Sequence, residues 1–232
     1  VTWGGAYEGG DSHSVSAQLT QVESIVATYR AFAALKADGS VVTWGSAREG
    51  GDSRYIEDLL TEIQLIAATV SSFTAIKADG SMLHWGIISL PHYPSGVNSM
   101  LQIESMTTND GAFAGIKTDG SVITWGSTDY GSDSSLVADQ LNQVEAIATT
   151  SSAFAAIKID GSVVTWGESS FGGDSSFING ELTEVKSIIA TDYAFAAIKA
   201  DGSVVTWGNS KWGGFVQDTS ELEPGGRTIT LQ

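Results

Sequence analysis

Short apolar runs alternate with turn residues along the chain, in a pattern typical of β structure. In residues 22–45, an apolar run rich in β-branched residues is followed by Phe-Ala-Ala-Leu-Lys, by Ala-Asp-Gly-Ser and by Val-Val-Thr-Trp. Side chains alternate between the two sides of a strand, so Val42 and Trp44 share one face while Val41 and Thr43 share the other. The pattern therefore predicts three strands in this stretch.

An Asp-Gly pair separates the second and third predicted strands. Asp-Gly between apolar runs is the strongest short signal for a β-hairpin, and we expect both residues to adopt positive φ. The pair recurs as Asp38-Gly39, Asp79-Gly80, Asp119-Gly120, Asp160-Gly161 and Asp201-Gly202. Because Asp before Gly suits a turn, these carboxylates are interpreted as turn residues and not as a catalytic ring.

The whole pattern repeats. Thr-Trp-Gly or a close variant recurs with steps of 41, 41, 40, 41 and 41 residues, at Trp3, Trp44, Trp85, Trp125, Trp166 and Trp207. Two further series keep the same register: Phe32, Phe73, Phe113, Phe154 and Phe195, and Lys36, Lys77, Lys117, Lys158 and Lys199. Repeats of this size, each with a small sheet, are typical of propeller blades.

After each Trp comes a less regular stretch that often contains Gly-Gly-Asp-Ser, followed by what could be a helical turn or a fourth, edge strand. We predict an all-β protein, a β-propeller of about six blades with five complete 41-residue repeats and one blade shared by the termini. An open arc of a longer array is the alternative. The prediction is a single repeat domain over residues 1–232, with repeats at about 4–44, 45–85, 86–125, 126–166 and 167–207 and a partial unit at 208–232.

Composition narrows the choice of partner. Eleven Lys and Arg against 27 Asp and Glu give 11 − 27 = −16, which argues against nucleic acid or anionic membrane as the main partner. Without cysteine there are no disulfides or thiolate metal sites, and no apolar run approaches the length of a membrane span. Because the chain starts at Val1, we expect a processed product or a piece of a longer protein.

Several segments resemble the regulator of chromosome condensation repeat. They are Val41-Val-Thr-Trp-Gly45, the Gly-Gly-Asp-Ser motif, Ile66-Ala-Ala-Thr69 and residues 73–81. The resemblance covers residues 1 to about 214 and is closest to a short repeat type found in proteins of marine bacteria and algae. It implies a β-propeller that acts as an interaction platform, while the 41-residue units and acidic composition do not match an exchange-factor or chromatin-binding role.

No catalytic motif emerges from the sequence. His13, His84 and His92 lack the spacing of a zinc site, and no nucleophile elbow or phosphate loop is present. We therefore expect no enzyme activity, no cofactor and no metal. His84 is interpreted as a satisfied polar residue in a strand, with a metal shared by His84 and His92 as the weaker alternative. The aspartates of the Gly-Gly-Asp-Ser motif are expected to bond local backbone N–H groups, calcium binding being their alternative role.

The third unit departs from the others. His84 stands where other units have Thr, and the segment Ile87-Ile-Ser-Leu-Pro-His-Tyr-Pro94 replaces the Gly-Gly-Asp-Ser stretch. Proline stiffens a loop and cannot donate to a sheet. The segment is either a specialised docking loop or the decay of one repeat.

Candidate binding residues are those that differ between units at equivalent positions of the repeat, because the structure of the blade does not require one residue type there. One set lies in the turn before each Phe and the other in the loop past each Trp. Aromatic rings beside acids and hydroxyls can anchor a protein or stack on a sugar, although they can also pack under their own loop. The candidates are Tyr7, Tyr29, Arg30, Arg48, Asp110, Tyr130, Phe171, Asp192, Tyr193 and Trp212.

The leading hypothesis is a non-catalytic β-propeller that acts as a protein-interaction or scaffold module. A lectin-like, glycan-binding propeller is the alternative. The acidic, cysteine-free composition is compatible with an extracellular or cell-surface setting, and unpaired terminal strands could support self-association.

Overall fold

A computed structural model of the chain describes residues 2, 4–5, 8–87 and 102–214. These residues contain fifteen β-strands, which we number in chain order. The strands are β1 (Val22–Ala27), β2 (Ala31–Lys36), β3 (Val41–Gly45), β4 (Ile63–Ala68), β5 (Ser72–Lys77), β6 (Met82–Gly86), β7 (Ile103–Thr108), β8 (Ala112–Lys117), β9 (Val122–Gly126), β10 (Val144–Thr149), β11 (Ala153–Lys158), β12 (Val163–Gly167), β13 (Val185–Ala190), β14 (Ala194–Lys199) and β15 (Val204–Gly208).

Each group of three consecutive strands forms one antiparallel sheet, in the order β1-β2-β3 and so on through β13-β14-β15. We call these sheets blades 1 to 5. The first strand of every blade starts with the same register shift, as between Val22 and Ser24 in β1. The prediction of an all-β propeller is confirmed, with five blades in the described part of the chain. The predicted sixth blade shared by the termini falls largely on residues outside that part.

Where the structure describes the stretch after a Trp, it forms 3₁₀ turns and not a fourth strand; the stretch after Trp85 lies mostly outside the described residues. The turns are His13–Val15, Ala47–Glu49, Arg54–Leu59, Thr128–Tyr130, Ser135–Gln140, Ser169–Phe171, Ser176–Ile178 and Ser210–Trp212. The aspartates of the Gly-Gly-Asp-Ser motif help to start them: Asp52 Oδ1 accepts the Arg54 N–H at 3.2 Å, and Asp174 Oδ1 accepts the Ser176 N–H at 2.9 Å. No helix among the described residues is long and apolar enough to cross a membrane.

Successive blades pack face to face through unlike surfaces. One core cluster combines Ala153, Ala155 and Ile157 of blade 4 with Phe195 and Trp207 of blade 5. In each blade the Phe of the second strand stacks on the Trp of the third, as Phe195 does on Trp207 with ring centroids 5.1 Å apart. Small alanines on one blade thus make room for the aromatic pair of the next, and full burial of each large side chain contributes about 1.5–3 kcal/mol.

A hydrogen bond across the unit fixes the buried indole in four of the five blades. Trp207 Nε1–H donates to the Gly172 carbonyl at 3.0 Å, and the same 35-residue bond joins Trp44 to Gly9, Trp85 to Gly50 and Trp166 to Gly131. Glycine is required here because Gly50 has φ +96°, and a Cβ would lie 2.6 Å from the Phe73 ring. This contact explains the glycine found at this position in the other regular units, at Gly9, Gly131 and Gly172.

The Asp-Gly hairpins differ from our expectation, because among their residues only the glycine has positive φ, +77° at Gly39. Gly39 N–H donates to the Lys36 carbonyl and Lys36 N–H to the Ser40 carbonyl, so Ala37 and Asp38 form a type I turn with a glycine bulge. The prediction of positive φ at both residues is wrong. The extra residue in the loop allows Asp38 a negative φ, and its carboxylate accepts the Ser40 N–H at 3.0 Å.

Candidate functional site

The turns between the first and second strands of all five blades meet at one end of the propeller. Residues at the same phase in each turn surround a cavity of about 460 Å³ on the axis of the ring. They are Tyr29, Val70, Asp110, Ser151 and Asp192. Three of the candidate binding residues, Tyr29, Asp110 and Asp192, are therefore brought together at the axial mouth.

Backbone hydrogen bonds tie neighbouring turns to each other. Tyr29 N–H donates to the Val70 carbonyl at 2.8 Å, Val70 N–H to Asp110 at 3.2 Å, and Ser151 N–H to Asp192 at 3.0 Å. These bonds occupy the main chain and leave the side chains to vary. The backbone around the axial mouth is therefore held by hydrogen bonds between neighbouring turns, while the side chains there differ from unit to unit.

The loops past each Trp lie at the same end of the molecule, just outside the turns. Thr150 Oγ1 at the start of one turn donates to the Phe171 carbonyl at 3.0 Å, and Asn109 Nδ2 donates to the Tyr130 carbonyl at 2.8 Å. Thr28 Oγ1 makes the same link to the Glu49 carbonyl at 3.3 Å. Both sets of variable residues therefore form one surface, which we call the variable rim.

Blade 1 contributes Tyr29 and Arg30 to the variable rim. Tyr29 is 75% exposed, and the Arg30 guanidinium lies 5.6 Å from the centre of its ring. Arg30 also pairs with Glu49 at 3.8 Å across the junction with the next unit. Glu49 is mostly buried, so this ion pair holds Arg30 beside the tyrosine. Arg48 is exposed on the adjoining 3₁₀ turn.

Three further candidates form an aromatic row on blade 5. Tyr193 lies between Phe171 and Trp212, with ring centroids 5.2 and 5.4 Å away. Trp212 is 60% exposed, whereas Phe171 and Tyr193 are half-buried. Because the rings pack on one another, only the outer surface of Trp212 is left to stack on a partner.

Tyr130 is half-buried and packs against the turn that precedes Phe113. A Cβ on Gly111 would lie 2.5 Å from Tyr130 Cδ2, so the ring fills the space that this glycine leaves. Asn109 joins this turn to the Tyr130 loop, because its Oδ1 accepts the Ala112 N–H at 2.9 Å while its Nδ2 donates to the Tyr130 carbonyl. Tyr7, the remaining candidate, lies outside the described residues.

Val70 belongs to the rim but was missed by the sequence analysis. It is 42% exposed and occupies the phase of Tyr29, exactly one repeat later. The sequence signal was present, because counting 41 residues from Tyr29 gives Val70 and not Ser71. Glu49 was likewise overlooked as the partner of Arg30.

The opposite end of the propeller is uniform. In each Asp-Gly-Ser turn the carboxylate accepts the backbone N–H and the hydroxyl of the same serine, at 2.8 and 2.6 Å for Asp79 and Ser81. These bonds to Ser81 lower the pKa of Asp79 below its ordinary value. The repeated carboxylates are therefore hydrogen-bonded within their own turns, as expected for turn residues.

His84 takes part in a buried network at the junction of blades 2 and 3. Its Nδ1 lies 2.7 Å from Thr74 Oγ1, and the same hydroxyl accepts the Trp125 indole N–H at 3.2 Å. The hydroxyl has one proton and a second lone pair, so it can pair with Nδ1 in either neutral tautomer of His84. Burial lowers the pKa of His84 to about 4.

Nε2 of His84 is buried and has no hydrogen-bond partner among the described residues. His92 and most of the segment 87–94 lie outside them, so the shared metal and the docking loop stay predictions. Within the described part of the chain, no three His, Asp or Glu side chains are grouped closely enough to hold a metal ion.

Larger grooves lie on the perimeter of the ring, away from the variable rim. One of about 620 Å³ runs beside β12 and another of about 740 Å³ beside β3. Both are lined by repeated Thr and Ser residues that bond to each other, as Thr165 does to Ser175 at 2.9 Å. The grooves also contain residues that differ between units, such as Leu136 and Asn179 beside β12 and Arg54 and Glu57 beside β3.

Comparison with known proteins supports the architecture. No protein-family profile matches the chain, and no curated protein matches it either. Among solved structures, human WBSCR16 is similar with a TM-score of 0.54 and 16% identity, over 81% of this chain and 61% of that one. Yeast RCC1 (Prp20), solved with Kap60 bound, is similar with a TM-score of 0.54 and 17% identity, over 84% of this chain and 57% of that one.

The ectodomain of the receptor kinase CR4 from Physcomitrella patens is similar with a TM-score of 0.50 and 16% identity, over 81% of this chain and 50% of that one. The chain therefore spans between half and two thirds of the length of these structures. At such identities the likeness concerns the fold alone.

Proposed function

We propose that the chain is a non-catalytic β-propeller module that binds a protein partner through the variable rim. The observation that carries this proposal is the exposure of large apolar side chains at positions that change from unit to unit. Tyr29 is 75% exposed, Trp212 60% and Val70 42%. Exposed aromatic side chains beside charged groups are typical of protein interfaces.

The repeated residues support the same proposal by elimination. Their polar atoms are engaged within the blades, as the Trp indoles are with glycine carbonyls and the turn carboxylates with serines. A partner that distinguishes this chain must therefore read the side chains that vary. One group of these side chains lies on the variable rim, and a second, which includes Tyr55 and Leu136, lies on the perimeter turns.

The similarity to yeast RCC1 adds support of a more general kind. Yeast RCC1 (Prp20) was solved with another protein, Kap60, bound to it, which supports a protein as the partner. We also infer that the present chain has the short type of regulator of chromosome condensation repeat, because the Val-Thr-Trp-Gly, Gly-Gly-Asp-Ser and Lys-x-Asp-Gly-Ser motifs keep one register. An extracellular or cell-surface setting remains part of this proposal, since high salt would screen the charge of −16.

Carbohydrate binding is the second candidate, and the row Phe171, Tyr193 and Trp212 is the observation in its favour. A sugar binding site needs an accessible ring face. Stacking within the row leaves only one such face, the outer face of Trp212, so a lectin function would depend on this residue. A glycan array compares the two: signal that is lost in Trp212→Ala would support the lectin function, and silence across the array would remove it.

Affinity capture from an extract of the source organism tests the main proposal. We expect Tyr29→Ser combined with Trp212→Ala to abolish recovery of a partner that the unaltered chain retains. Tyr55→Ser is the matched control, because Tyr55 is 66% exposed but lies on the perimeter turn Arg54–Leu59. Equal recovery by the rim variant and the control would contradict the proposal.

A further inference from the structure

One face of blade 5 is apolar and open to solvent. Ile189, Ile198 and Val204 are 64%, 37% and 53% exposed on this face. In the other blades the residues equivalent to Ile198 are covered by the following blade and are only 3–7% exposed, at Leu35, Ile76, Ile116 and Ile157. Blade 5 therefore has the surface of a blade that normally receives a neighbour.

At each of the other junctions, the following blade begins with a strand that we call the inner strand. This strand carries an apolar residue at a fixed position in the repeat. Ile157 of blade 4, for example, belongs to a core cluster against which Ile188 of blade 5 packs. Ile188 lies in β13, the first strand of blade 5. An occupant of the open face must supply an equivalent residue.

The chain itself supplies one beyond its described part. The inner-strand series runs through Ile25, Ile66, Met106, Ile147 and Ile188 and continues at Ile229, which stands 41 residues after Ile188. The surrounding sequence Arg-Thr-Ile-Thr-Leu alternates polar and apolar residues, as a half-buried strand does. Residues 226–231 stand 41 residues after β13, Val185–Ala190.

We propose that the open face of blade 5 is the docking surface for residues 226–231 of the same chain, with Ile229 over Ile189 and Ile198. The hydrophobic effect drives this contact, because it removes three large side chains from water together with Ile229. The segment is tethered to blade 5 by the chain, which gives it a high effective concentration over a competing second molecule. The proposal concerns closure of the ring and is independent of what the variable rim binds.

Paired cysteines test the proposal directly, because the chain has no native cysteine. Ile189→Cys with Ile229→Cys is treated with a short bismaleimide at low protein concentration. Ala148→Cys with Ile188→Cys is the reference pair. These residues stand one repeat before Ile189 and Ile229 and lie at the junction of blades 4 and 5. Leu136→Cys with Ile229→Cys is the background control, since Leu136 is fully solvent-facing on the perimeter at 96% exposure.

We expect an intramolecular product that forms at a rate close to that of the reference pair and roughly tenfold faster than the background pair. A rate no faster than background would overturn the proposal. A product found only at the mass of two chains would overturn it as well, by showing that a second copy covers the face.

A melting experiment adds an independent reading. Ile229→Glu places a charge at the apolar phase and is expected to lower the melting temperature by several degrees. Arg227→Glu is the matched control, because the equivalent residues Glu23, Glu104 and Glu145 are exposed carboxylates in the described blades. Identical melting of the two variants and the unaltered chain would contradict the proposed contact.

Discussion

The junction between blades 2 and 3 and the junction between blades 4 and 5 use the same aromatic packing with different hydrogen bonds. Phe113 stacks on Trp125 and Phe195 on Trp207, at 5.3 and 5.1 Å. The Trp207 indole donates to the Gly172 carbonyl, whereas the Trp125 indole donates to the hydroxyl of Thr74 in the preceding blade. A buried N–H must find an acceptor, and the two junctions provide it in different ways.

The difference teaches how an irregular unit keeps the common fold. At 35 residues before Trp125 the sequence has Leu90 where other units have glycine. In the same unit pair, Thr74 replaces the usual alanine and His84 the usual threonine. Thr74 supplies the acceptor and His84 orients its hydroxyl, so two substitutions that look unrelated in the sequence act as one device.

The largest difference in stability between the two junctions is expected when the Thr74 hydroxyl, which bonds to both Trp125 and His84, is removed. Thr74→Val leaves both the Trp125 indole and His84 Nδ1 without their bond, and we expect a loss of about 2–4 kcal/mol in the free energy of unfolding. Urea denaturation measures it. A cost no greater than that of Thr165→Val, the hydroxyl variant at the regular junction, would contradict the shared role of Thr74.

Acid should weaken the altered junction before the regular ones. The pKa of His84 is about 4 in the folded chain and 6.5 for the ordinary side chain, so the unfolded state binds more protons between these values. Stability is therefore complete above pH 6.5 and is lost as the pH falls toward 4, by about 2 kcal/mol at pH 4.5.

Denaturation of the unaltered chain and of His84→Gln at pH 7 and 4.5 measures this component. The glutamine variant should lose less stability between the two values. Carboxylates act at lower pH: Arg54 lowers the pKa of Asp52 to about 2, so its contribution is lost only below the ordinary value of 3.8. Equal losses in the two proteins would remove His84 as the acid-sensitive group.

At the regular junction we expect a smaller effect from the Thr-Ser pair. Thr165 Oγ1 and Ser175 Oγ are 2.9 Å apart, and a neutral hydrogen bond of this kind contributes about 1 kcal/mol. A double-mutant cycle with Thr165→Val and Ser175→Ala measures the coupling. Additive effects of the two substitutions would show that the pair is not coupled.

The smallest effect should be the same at both junctions. Glu62 and Gln143 precede the inner strands of blades 2 and 4 with φ of +58° and +54°, a conformation that costs a non-glycine residue about 1–2 kcal/mol. Glycine relieves this strain but loses more entropy on folding, so Glu62→Gly and Gln143→Gly should each raise stability by about 0.5 kcal/mol. A loss of stability in either variant would contradict the strain.

The repeat period predicted most of the fold because local sequence determines it. Val-Val-Thr-Trp alternates and Asp-Gly marks a turn, so three strands per unit could be placed without any long-range information. The turn type was wrong, since the dipeptide alone does not reveal that Ala37 belongs to the loop. The Thr74–Trp125 bond could not be predicted either, because it occurs at one junction only and therefore leaves no periodic signal.

The repeat period also located part of the candidate site, because it identifies the equivalent position in each unit. Variation at a fixed phase located Tyr29, Asp110 and Asp192, and the fold gathers them around the axis. The stacking of Tyr193 between Phe171 and Trp212 depends on how two loops of successive units meet, which periodicity does not encode. Whether these residues bind a partner stays a prediction.

The most direct test of the account compares two tryptophans five residues apart. Trp207 is fully buried in the blade, whereas Trp212 is 60% exposed on the variable rim. Partner recovery is measured for Trp212→Ala and Trp207→Phe, with the melting temperature recorded for both. The account predicts that Trp212→Ala loses the partner with little change in melting, while Trp207→Phe melts at a lower temperature but retains the partner when folded. Full recovery by Trp212→Ala, or a melting loss equal to that of Trp207→Phe, would contradict a binding role for the variable rim.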